Sequence, residues 1–253
     1  GLILLLLAGC TAQAGQEKTL TVMTHDSFAV SEELVTRFED ENGVQLVFLK
    51  SGDTGSALNR AVLMKQSPEA DVFYGVDNTF LSRALEEDIF IPYASPALGQ
   101  IAEEFKLDAQ NRALPVDYGD VCINYDKAYF ASRDLTLPQS LEDLLKPEYG
   151  KGEGMEGLLV VENPAVSSPG LAFLLATIAE FGEEGYLDYW QALKDNGLVV
   201  VNDWSTAYYT NFSASSGKGA QPMVVSYASS PAVEVVYAAE PVQDAPTASL
   251  VGQ

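Results

Sequence analysis

The feature that most constrains this chain is an alternation of short β-rich runs with amphipathic segments. Residues 20–23, 44–49 and 71–74 are short apolar runs of strand-forming residues, and each is followed by apolar positions at helical spacing. This alternation is typical of βαβ units built on a mostly parallel sheet. The chain is therefore predicted to be an α/β protein with three strand-helix repeats in its first part.

The first predicted helix shows how local signals set the ends of an element. Leu34, Val35 and Phe38 fall on one face of the helix. Ser31 precedes them as an N-cap, and Gly43 follows as a stop because glycine readily adopts the left-handed conformation that ends helices.

The second part of the chain repeats the pattern after an irregular stretch. Extended runs at 114–117 and 121–125 predict the first crossing between two lobes, and residues 158–161 predict the opening strand of a second α/β lobe. Helices are predicted over 170–181 and 186–196. With 253 residues and 47% hydrophobic content, the chain is long enough to bury a sizeable core as one large domain or two lobes.

The first ten residues resemble a bacterial lipoprotein signal. An apolar run ends in Leu7-Ala8-Gly9-Cys10, which has the small-residue cleavage pattern of an export signal but lacks an initiator Met and a basic start. We expect residues 1–9 to be part of a signal peptide, Cys10 to be lipidated, and 10–18 to be a flexible tether. The alternative is a short buried helix that ends in Cys. Nothing later approaches the about 20 apolar residues that a membrane span needs.

The chain is strongly acidic, with a formal charge of -22 from 36 acidic and 14 basic side chains. This charge argues against nucleic acid and anionic lipid as partners, because both need a positive protein surface. A cationic or neutral small ligand fits better, although solubility or a saline habitat would explain the charge equally well. If Cys10 carries lipid, Cys122 stands alone and this sequence holds no disulfide framework.

Two segments echo each other, because each runs from an apolar strand to Ser-Ser-Pro. They are Ser167-Ser168-Pro169 and Ser229-Ser230-Pro231. Proline favours the first helical position and the preceding serine is a good cap, so both segments predict a helix that starts just beyond a strand's carboxyl end. Such ends bind ligands in open α/β sheets, and helix N-termini attract anions, although ordinary capping explains the pattern as well.

Aromatic residues lie near these segments. Trp204, Tyr227 and Tyr118 each have carboxylates or serines close by in sequence. Exposed aromatic faces beside carboxylates suit a cationic heteroaromatic ligand, through stacking and cation-π contact. A core position for Trp204 is the alternative.

The only histidine, His25, is followed by Asp26 and Ser27, but consecutive residues of an extended chain point to opposite sides. They therefore make a poor catalytic triad. An exported hydrolase that uses Ser27 or a Ser-Ser-Pro serine is an alternative without a nucleophile elbow. One histidine and no Cys/His cluster exclude a zinc-type site. Tyr208, Tyr209 and His25 offer another alternative, a ferric-ion carrier.

Several short motifs, taken in order, resemble the substrate-binding proteins of bacterial thiamine ABC transporters, which have the type II periplasmic-binding fold. The resemblance spans about residues 20–238. It rests on Thr24-His25-Asp26-Ser27-Phe28, Asp53 ahead of Leu58-Asn59-Arg60, Ala70-Asp71-Val72, Gly75-Val76-Asp77-Asn78, Val116-Asp117-Tyr118-Gly119, Ser167-Ser168-Pro169-Gly170-Leu171, Trp204-Ser205, Ala207-Tyr208, Ser226-Tyr227 and Ser230-Pro231.

The resemblance implies a two-lobed, non-enzymatic receptor that closes on thiamine or a thiamine phosphate. Asp53 and Ser167 would contact the hydroxyethyl or phosphate end, and Trp204 and Tyr227 would hold the rings. His25 stands where the family often has Tyr, and a Trp that some members carry just after that motif is absent here. The full set of expected ligand-binding residues is His25, Asp26, Asp53, Asp77, Asp117, Tyr118, Ser167, Ser168, Trp204, Tyr208, Tyr227 and Ser230.

The resemblance also implies lobe boundaries and partners. Residues 19–116 would form lobe 1, residues 117–226 lobe 2, and residues 227–253 an incomplete return toward lobe 1. Each lobe would be a mostly parallel sheet flanked by helices, and a hinge would join the lobes. We expect a monomer outside the cytoplasm, held at the membrane by its lipid alone. It would deliver its ligand to an ABC importer permease and need no cofactor, metal or nucleic acid.

Overall fold

The computed structural model describes residues 18–152 and 156–250 of the chain. The predicted signal and tether, Cys10 included, lie outside these residues apart from Lys18. Within the described part, no helix is both long enough and apolar enough to cross a membrane.

Strands and helices alternate through most of the described chain. The strands are β1 (Lys18–Thr24), β2 (Val44–Lys50), β3 (Val72–Phe73), β4 (Val121–Asp126), β5 (Leu159–Glu162), β6 (Val199–Val201), β7 (Met223–Tyr227) and β8 (Thr247–Leu250). The α-helices are α1 (Glu32–Asn42), α2 (Thr54–Leu63), α3 (Leu81–Glu86), α4 (Lys127–Ser132), α5 (Ser168–Asp195), α6 (Trp204–Thr206), α7 (Ser213–Ser216) and α8 (Ser230–Val236). Short 3-10 turns span Pro96–Gln100, Glu103–Phe105, Glu142–Leu145 and Pro147–Tyr149, and a π-helical turn spans Ala207–Asn211.

The first sheet has the order β2-β1-β3, and all of its pairs are parallel. The helix between β1 and β2 confirms the predicted caps. The Ser31 side chain accepts a hydrogen bond from the Leu34 amide, and Gly43 ends α1 with a φ of 61°. The three predicted strand-helix repeats are present, although β3 is only two residues long.

The second sheet has the order β6-β5-β7-β4-β8. β5 pairs in parallel with β6 and β7, whereas β4 pairs antiparallel with β7 and β8, so this sheet is mixed. Alternation along β5 divides the core, because Val161 packs on one face with Phe173 and Tyr189 while Val160 packs on the other with Tyr208.

Helix α5 runs without a gap over the two predicted helices 170–181 and 186–196. Its backbone nevertheless breaks at Gly182, which has a φ of 72°. That conformation is open to glycine at little cost, so the predicted break is a kink inside one element.

Three predictions need correction or refinement. The run at 114–117 contains no strand. The prediction that Ser168 and Ser230 cap their helices is wrong: α5 and α8 begin at these residues, and the N-cap residues are Ser167 and Ser229. Neither N-cap side chain makes a capping hydrogen bond. Up to Leu250 the segment predicted to return toward lobe 1 contributes β8 to the second sheet, and the lobe boundaries stay a prediction.

Candidate functional site

A large cleft is lined from both sheets, and it collects the residues that the sequence singled out. Every residue of the predicted set except Ser167 lines it. These residues come from the ends of β1 and β7, the first turns of α2, α5 and α8, the helix α6 with the π-helical turn after it, and the loops around Asp77 and Asp117. The carboxyl ends of strands therefore meet at this cleft, as expected for an α/β ligand site.

Asp53 links the two sides of the cleft. It is the N-cap residue of α2, and its carboxylate accepts a 2.9 Å hydrogen bond from the backbone N–H of Trp204, at the start of α6. A second link joins the backbones, because the Gly55 amide donates to the Val166 carbonyl at 3.0 Å. Gly55 permits this approach, since an added Cβ would lie 2.8 Å from the Val166 Cα. The start of α2 is thus held against the β5–α5 loop.

The indole of Trp204 forms the centre of an aromatic wall. Its Nε1 donates to the Ser226 hydroxyl at 2.9 Å, and Ser226 in turn lies 2.9 Å from the Ser230 hydroxyl. Trp204 stacks on Tyr208 with ring centroids 4.9 Å apart, and Tyr209 meets it edge-on. A flat, electron-rich surface of this kind suits a heteroaromatic ring.

Burial removes water from the acidic groups in and behind this wall and shifts their pKa values. Burial raises the pKa of Asp53, although the Ser167 hydroxyl and the Trp204 amide partly offset the rise. Burial also raises the pKa of Tyr227, and the nearby carboxylates of Asp77, Asp53 and Asp117 add to that rise. The cleft therefore lies in a strongly negative field, which favours a cation.

The opposite wall comes from the first sheet. His25 follows β1, and its ring lies 5.9 Å from that of Tyr74, whose hydroxyl donates to Asp117. Burial lowers the pKa of His25 despite the opposing charges of Asp117 and Asp26, and burial together with Asp117 raises the pKa of Tyr74 to about 12. Both rings are therefore neutral at neutral pH, and the acidic character of this wall comes from the carboxylates.

Asp26 and Asp77 line the cleft but already have partners. Asp26 accepts a hydrogen bond from the Gly52 amide at 2.8 Å. Asp77 accepts from the amide and the hydroxyl of Thr79. Tyr118 lies at the rim, 79% exposed and stacked on Phe105.

The serines at the start of α5 are buried. The loop before them is fixed by Asn163, whose carbonyl accepts from the amides of Val166 and Ser167. The hydroxyl of Ser168 has no hydrogen-bond partner among the described residues and reaches the cleft, while the Ser167 hydroxyl lies behind the cleft, near the Asp53 carboxylate. Ser167 is thus close enough to influence Asp53 without facing the ligand space.

The geometry around His25 does not support the alternative of an exported hydrolase. His25 Nδ1 lies 2.8 Å from the Ser27 hydroxyl, so these two residues do meet. The Asp26 carboxylate, however, is bonded to the Gly52 amide on the neighbouring loop. A Ser-His-Asp relay needs the carboxylate on the other nitrogen of the imidazole, and Asp26 makes no such bond.

The geometry does not favour the alternative of a ferric-ion carrier either. The Tyr208 hydroxyl donates to Glu234 at 2.8 Å, and burial with this bond raises its pKa. Burial also raises the pKa of Tyr209, which disfavours the phenolate form that binds ferric ion. Within the described ranges, no group of three or more His, Cys, Asp or Glu side chains is arranged to hold a metal ion.

Sequence reasoning missed three residues that shape the site. Tyr74 follows β3 directly, so the rule that ligands bind at strand carboxyl ends would have found it. Ser226 was noted only as part of a motif, and its bond to Trp204 depends on tertiary contact. Glu162 is the acid that directly follows the apolar run 158–161, and a charged residue at the end of a buried strand is the signal that could have found it.

Comparison with known proteins agrees with this geometry. The profile of the bacterial extracellular solute-binding proteins matches residues 67–240. A thiamine-binding periplasmic protein of Brucella suis is 32% identical over 234 residues, which cover 89% of this chain and 64% of the relative. The corresponding protein of Salmonella typhimurium is 30% identical over 236 residues, covering 91% of this chain and 66% of the relative.

The structural comparison gives the same family. A solved periplasmic thiamin binding protein superimposes with a TM-score of 0.73 at 26% identity, covering 94% of this chain and 70% of that one. The predicted type II periplasmic-binding fold is thereby confirmed. The chain spans slightly less than two thirds of the Brucella relative's length. This chain belongs to the family of bacterial extracellular solute-binding proteins.

Proposed function

We propose that this chain is a receptor that captures thiamine, or one of its phosphates, and delivers it to an ABC importer. The observation that carries the proposal is the Trp204–Tyr208 stack beside the buried Asp53 carboxylate. Thiamine combines a cationic thiazolium ring with an aminopyrimidine ring, so a flat aromatic surface next to negative charge matches it. The relatives from Brucella and Salmonella, named for thiamine binding, support the same ligand.

The capture step in this proposal is closure of two lobes around the ligand. The bonds from Trp204 to Asp53 and from Gly55 to Val166 join the start of α2 to elements of the second sheet. Contacts of this type are made only when the two sides meet, so a ligand that fills the cleft favours the closed form. The receptor acts as a carrier and not as an enzyme.

Each residue of the predicted set has a role in this proposal. Trp204, Tyr208 and Tyr227 hold the rings, and Asp53 with Ser168 faces the hydroxyethyl or phosphate end. Ser167 acts from behind through Asp53. The remaining members of the set line the opposite wall or the rim, namely His25, Asp26, Asp77, Asp117, Tyr118 and Ser230.

The location and anchoring belong to the same proposal. Membership of an extracellular solute-binding family supports a site of action outside the cytoplasm. Cys10 follows the signal-like run and is the proposed lipidation site. Metabolic labelling with a radioactive fatty acid tests this step: the chain should carry the label, and the Cys10→Ser variant should not.

Calorimetric titration of the chain tests the ligand. Thiamine, its monophosphate, its diphosphate and ferric citrate are each titrated into the folded protein. We expect tight, exothermic binding of at least one thiamine form and no heat from ferric citrate. Heat from ferric citrate with none from any thiamine form would replace this proposal by the ferric alternative.

A further inference from the structure

Glu162 is a buried acid that the proposed function has not yet used. It is the last residue of β5, and its side chain is fully buried. Neither carboxyl oxygen has a hydrogen-bond partner in another described residue, and none of the ion pairs among the described residues includes it. An ionised carboxylate in such a place costs several kcal/mol, by the order of magnitude known for buried ions.

The position of Glu162 ties it to the aromatic wall. Val160 lies opposite Val224 in the β5–β7 pair, so two residues further on, Glu162 neighbours Ser226 on the same face of the sheet. Ser226 is the residue that accepts the hydrogen bond from the Trp204 indole. Glu162 therefore lies directly behind the surface proposed to hold the ligand rings.

Among the described residues, the groups that act electrostatically on Glu162 are acidic or neutral. These are Asp53 at the start of α2, Asp203 at the N-cap of α6 and Tyr227 of β7. Burial, strengthened by these two carboxylates, raises the pKa of Glu162 well above its ordinary value. Among the described residues no Lys, Arg or His side chain pairs with Glu162, so burial favours its neutral carboxyl form when the cleft holds no ligand.

We propose that Glu162 is a switchable counter-charge, which gives up its proton when a cationic ligand occupies the cleft beside Asp53 and Trp204. The O–H bond of the carboxyl breaks, the proton passes to the buffer, and the carboxylate that remains faces the ligand's positive charge. This inference rests on the proposed function and extends it to ligand selection. A neutral analogue would draw no proton from Glu162 and would gain nothing from it.

The chemistry follows from the weak screening of a buried site. A positive charge placed near a buried acid favours the ionised form much more than it would in water. Because Asp53 and Tyr227 both face the ligand space and both interact with Glu162, a cation held by them lies within reach of its field. Glu162 acts through this field, so it is a positioning residue and makes no contact with the ligand.

Calorimetry in buffers of different ionisation enthalpy tests the proposal with thiamine as the probe. The dependence of the observed heat on buffer gives the number of protons exchanged. At neutral pH we expect the chain to release most of one proton per thiamine bound. Glu162→Gln should release close to none and bind thiamine about tenfold more weakly, as expected for the loss of one favourable charge interaction with the ligand.

The controls separate Glu162 from the other acids. Glu234→Gln keeps an acceptor for the Tyr208 hydroxyl and should leave proton release unchanged. Release that survives in Glu162→Gln and disappears in Asp53→Asn would overturn the proposal in favour of Asp53. Thiamine binding without proton release by the unmodified chain would overturn it outright, whereas the complete absence of thiamine binding would remove the proposed function together with it.

A second measurement needs no variant. A protonated carboxylic acid has a C=O stretch that vanishes when the acid ionises. Infrared difference spectra should show this band in the ligand-free chain and its loss when thiamine is added. A band that persists in the thiamine complex would contradict the proposal.

Discussion

Trp204 is held at two points by groups that belong to different parts of the fold. Its backbone N–H donates to Asp53 at the start of α2, and its indole N–H donates to Ser226 of β7. The indole therefore cannot rotate without breaking its hydrogen bond to Ser226. A preorganised aromatic surface of this kind lowers the entropic cost of holding a flat ligand.

Trp204→Phe removes the indole N–H and part of the ring. We expect thiamine affinity to fall by about 1 kcal/mol, which is roughly fivefold in Kd, because one hydrogen bond and some stacking area are lost. Trp190→Phe is the matched control, since the Trp190 indole also donates one hydrogen bond, to Thr177, but does so in the core of the second sheet. The control should lower thermal stability and leave affinity unchanged, and calorimetry with thermal melting distinguishes the two.

Glu162 also affects how the free energy of unfolding depends on pH. A carboxyl with a raised pKa in the folded protein holds its proton more tightly there than in the unfolded chain. It stabilises the fold at low pH, and this stabilisation is lost as the pH rises above the ordinary Glu pKa and through the folded value. Asp53, with its own raised pKa, acts in the same direction.

Glu162→Gln should therefore unfold at a higher temperature than the unmodified chain at neutral pH, with an advantage that shrinks as the pH falls toward about 4.3, the ordinary Glu pKa. Thermal melting over this range measures the difference. Equal pH dependence in both proteins would mean that Glu162 is ionised in the fold.

Among the helices and loops, the contact between α2 and the β5–α5 loop leaves no room for a side chain at Gly55. A Cβ at Gly55 would lie 2.8 Å from the Val166 Cα and 2.7 Å from the Phe80 ring. The Val166 backbone is fixed by Asn163 and by the helix that follows, so it cannot move aside as a flexible side chain would. The approach of these two elements therefore requires glycine at position 55.

Gly55→Ala should weaken thiamine binding by about tenfold, because the closed arrangement loses its backbone contact and becomes less populated. Calorimetry gives the affinity, and small-angle X-ray scattering with thiamine gives the radius of gyration, which should stay larger than in the parent. Gly99→Ala is the control, since a Cβ there meets nothing within 4 Å. Unchanged affinity in Gly55→Ala would show that the contact is not needed for capture.

The charge of the protein as a unit acts over longer distances than any of these contacts. A formal charge of -22 surrounds a cleft whose own lining is acidic. Such a field attracts cations from solution and repels anions, and dissolved salt screens it. It therefore distinguishes thiamine, a cation, from its diphosphate, which carries net negative charge.

Stopped-flow fluorescence at increasing salt concentration tests this effect. We expect the association rate of thiamine to fall as salt is added and that of the diphosphate to rise, because screening weakens attraction in one case and repulsion in the other. The two ligands share both rings, so each is a control for the other. Slopes of the same sign would rule out electrostatic steering by the net charge.

Much of the framework was predictable because it depends on neighbours in sequence. Ser31 and Gly43 end α1 through their own conformational preferences, and Gly182 breaks α5 for the same reason. Part of the cleft lining was predictable too, because Asp53 and Tyr227 lie at or just beyond the carboxyl ends of strands, where α/β proteins bind ligands. The predicted caps at the Ser-Ser-Pro segments were wrong, because Ser168 and Ser230 are the first helical residues and the Ser230 hydroxyl pairs with Ser226.

What the sequence determined by itself, then, is the alternation of elements, their main caps and breaks, and the acidic, aromatic character of the residues that line the cleft. Only the tertiary structure decided which of these groups act together. Trp204 and Asp53 are 151 residues apart in the sequence and share a hydrogen bond, and the pKa of Glu162 is raised because distant elements bury it beside other carboxylates. Helical periodicity and capping are local, whereas desolvation and electrostatic coupling depend on everything that packs around a group.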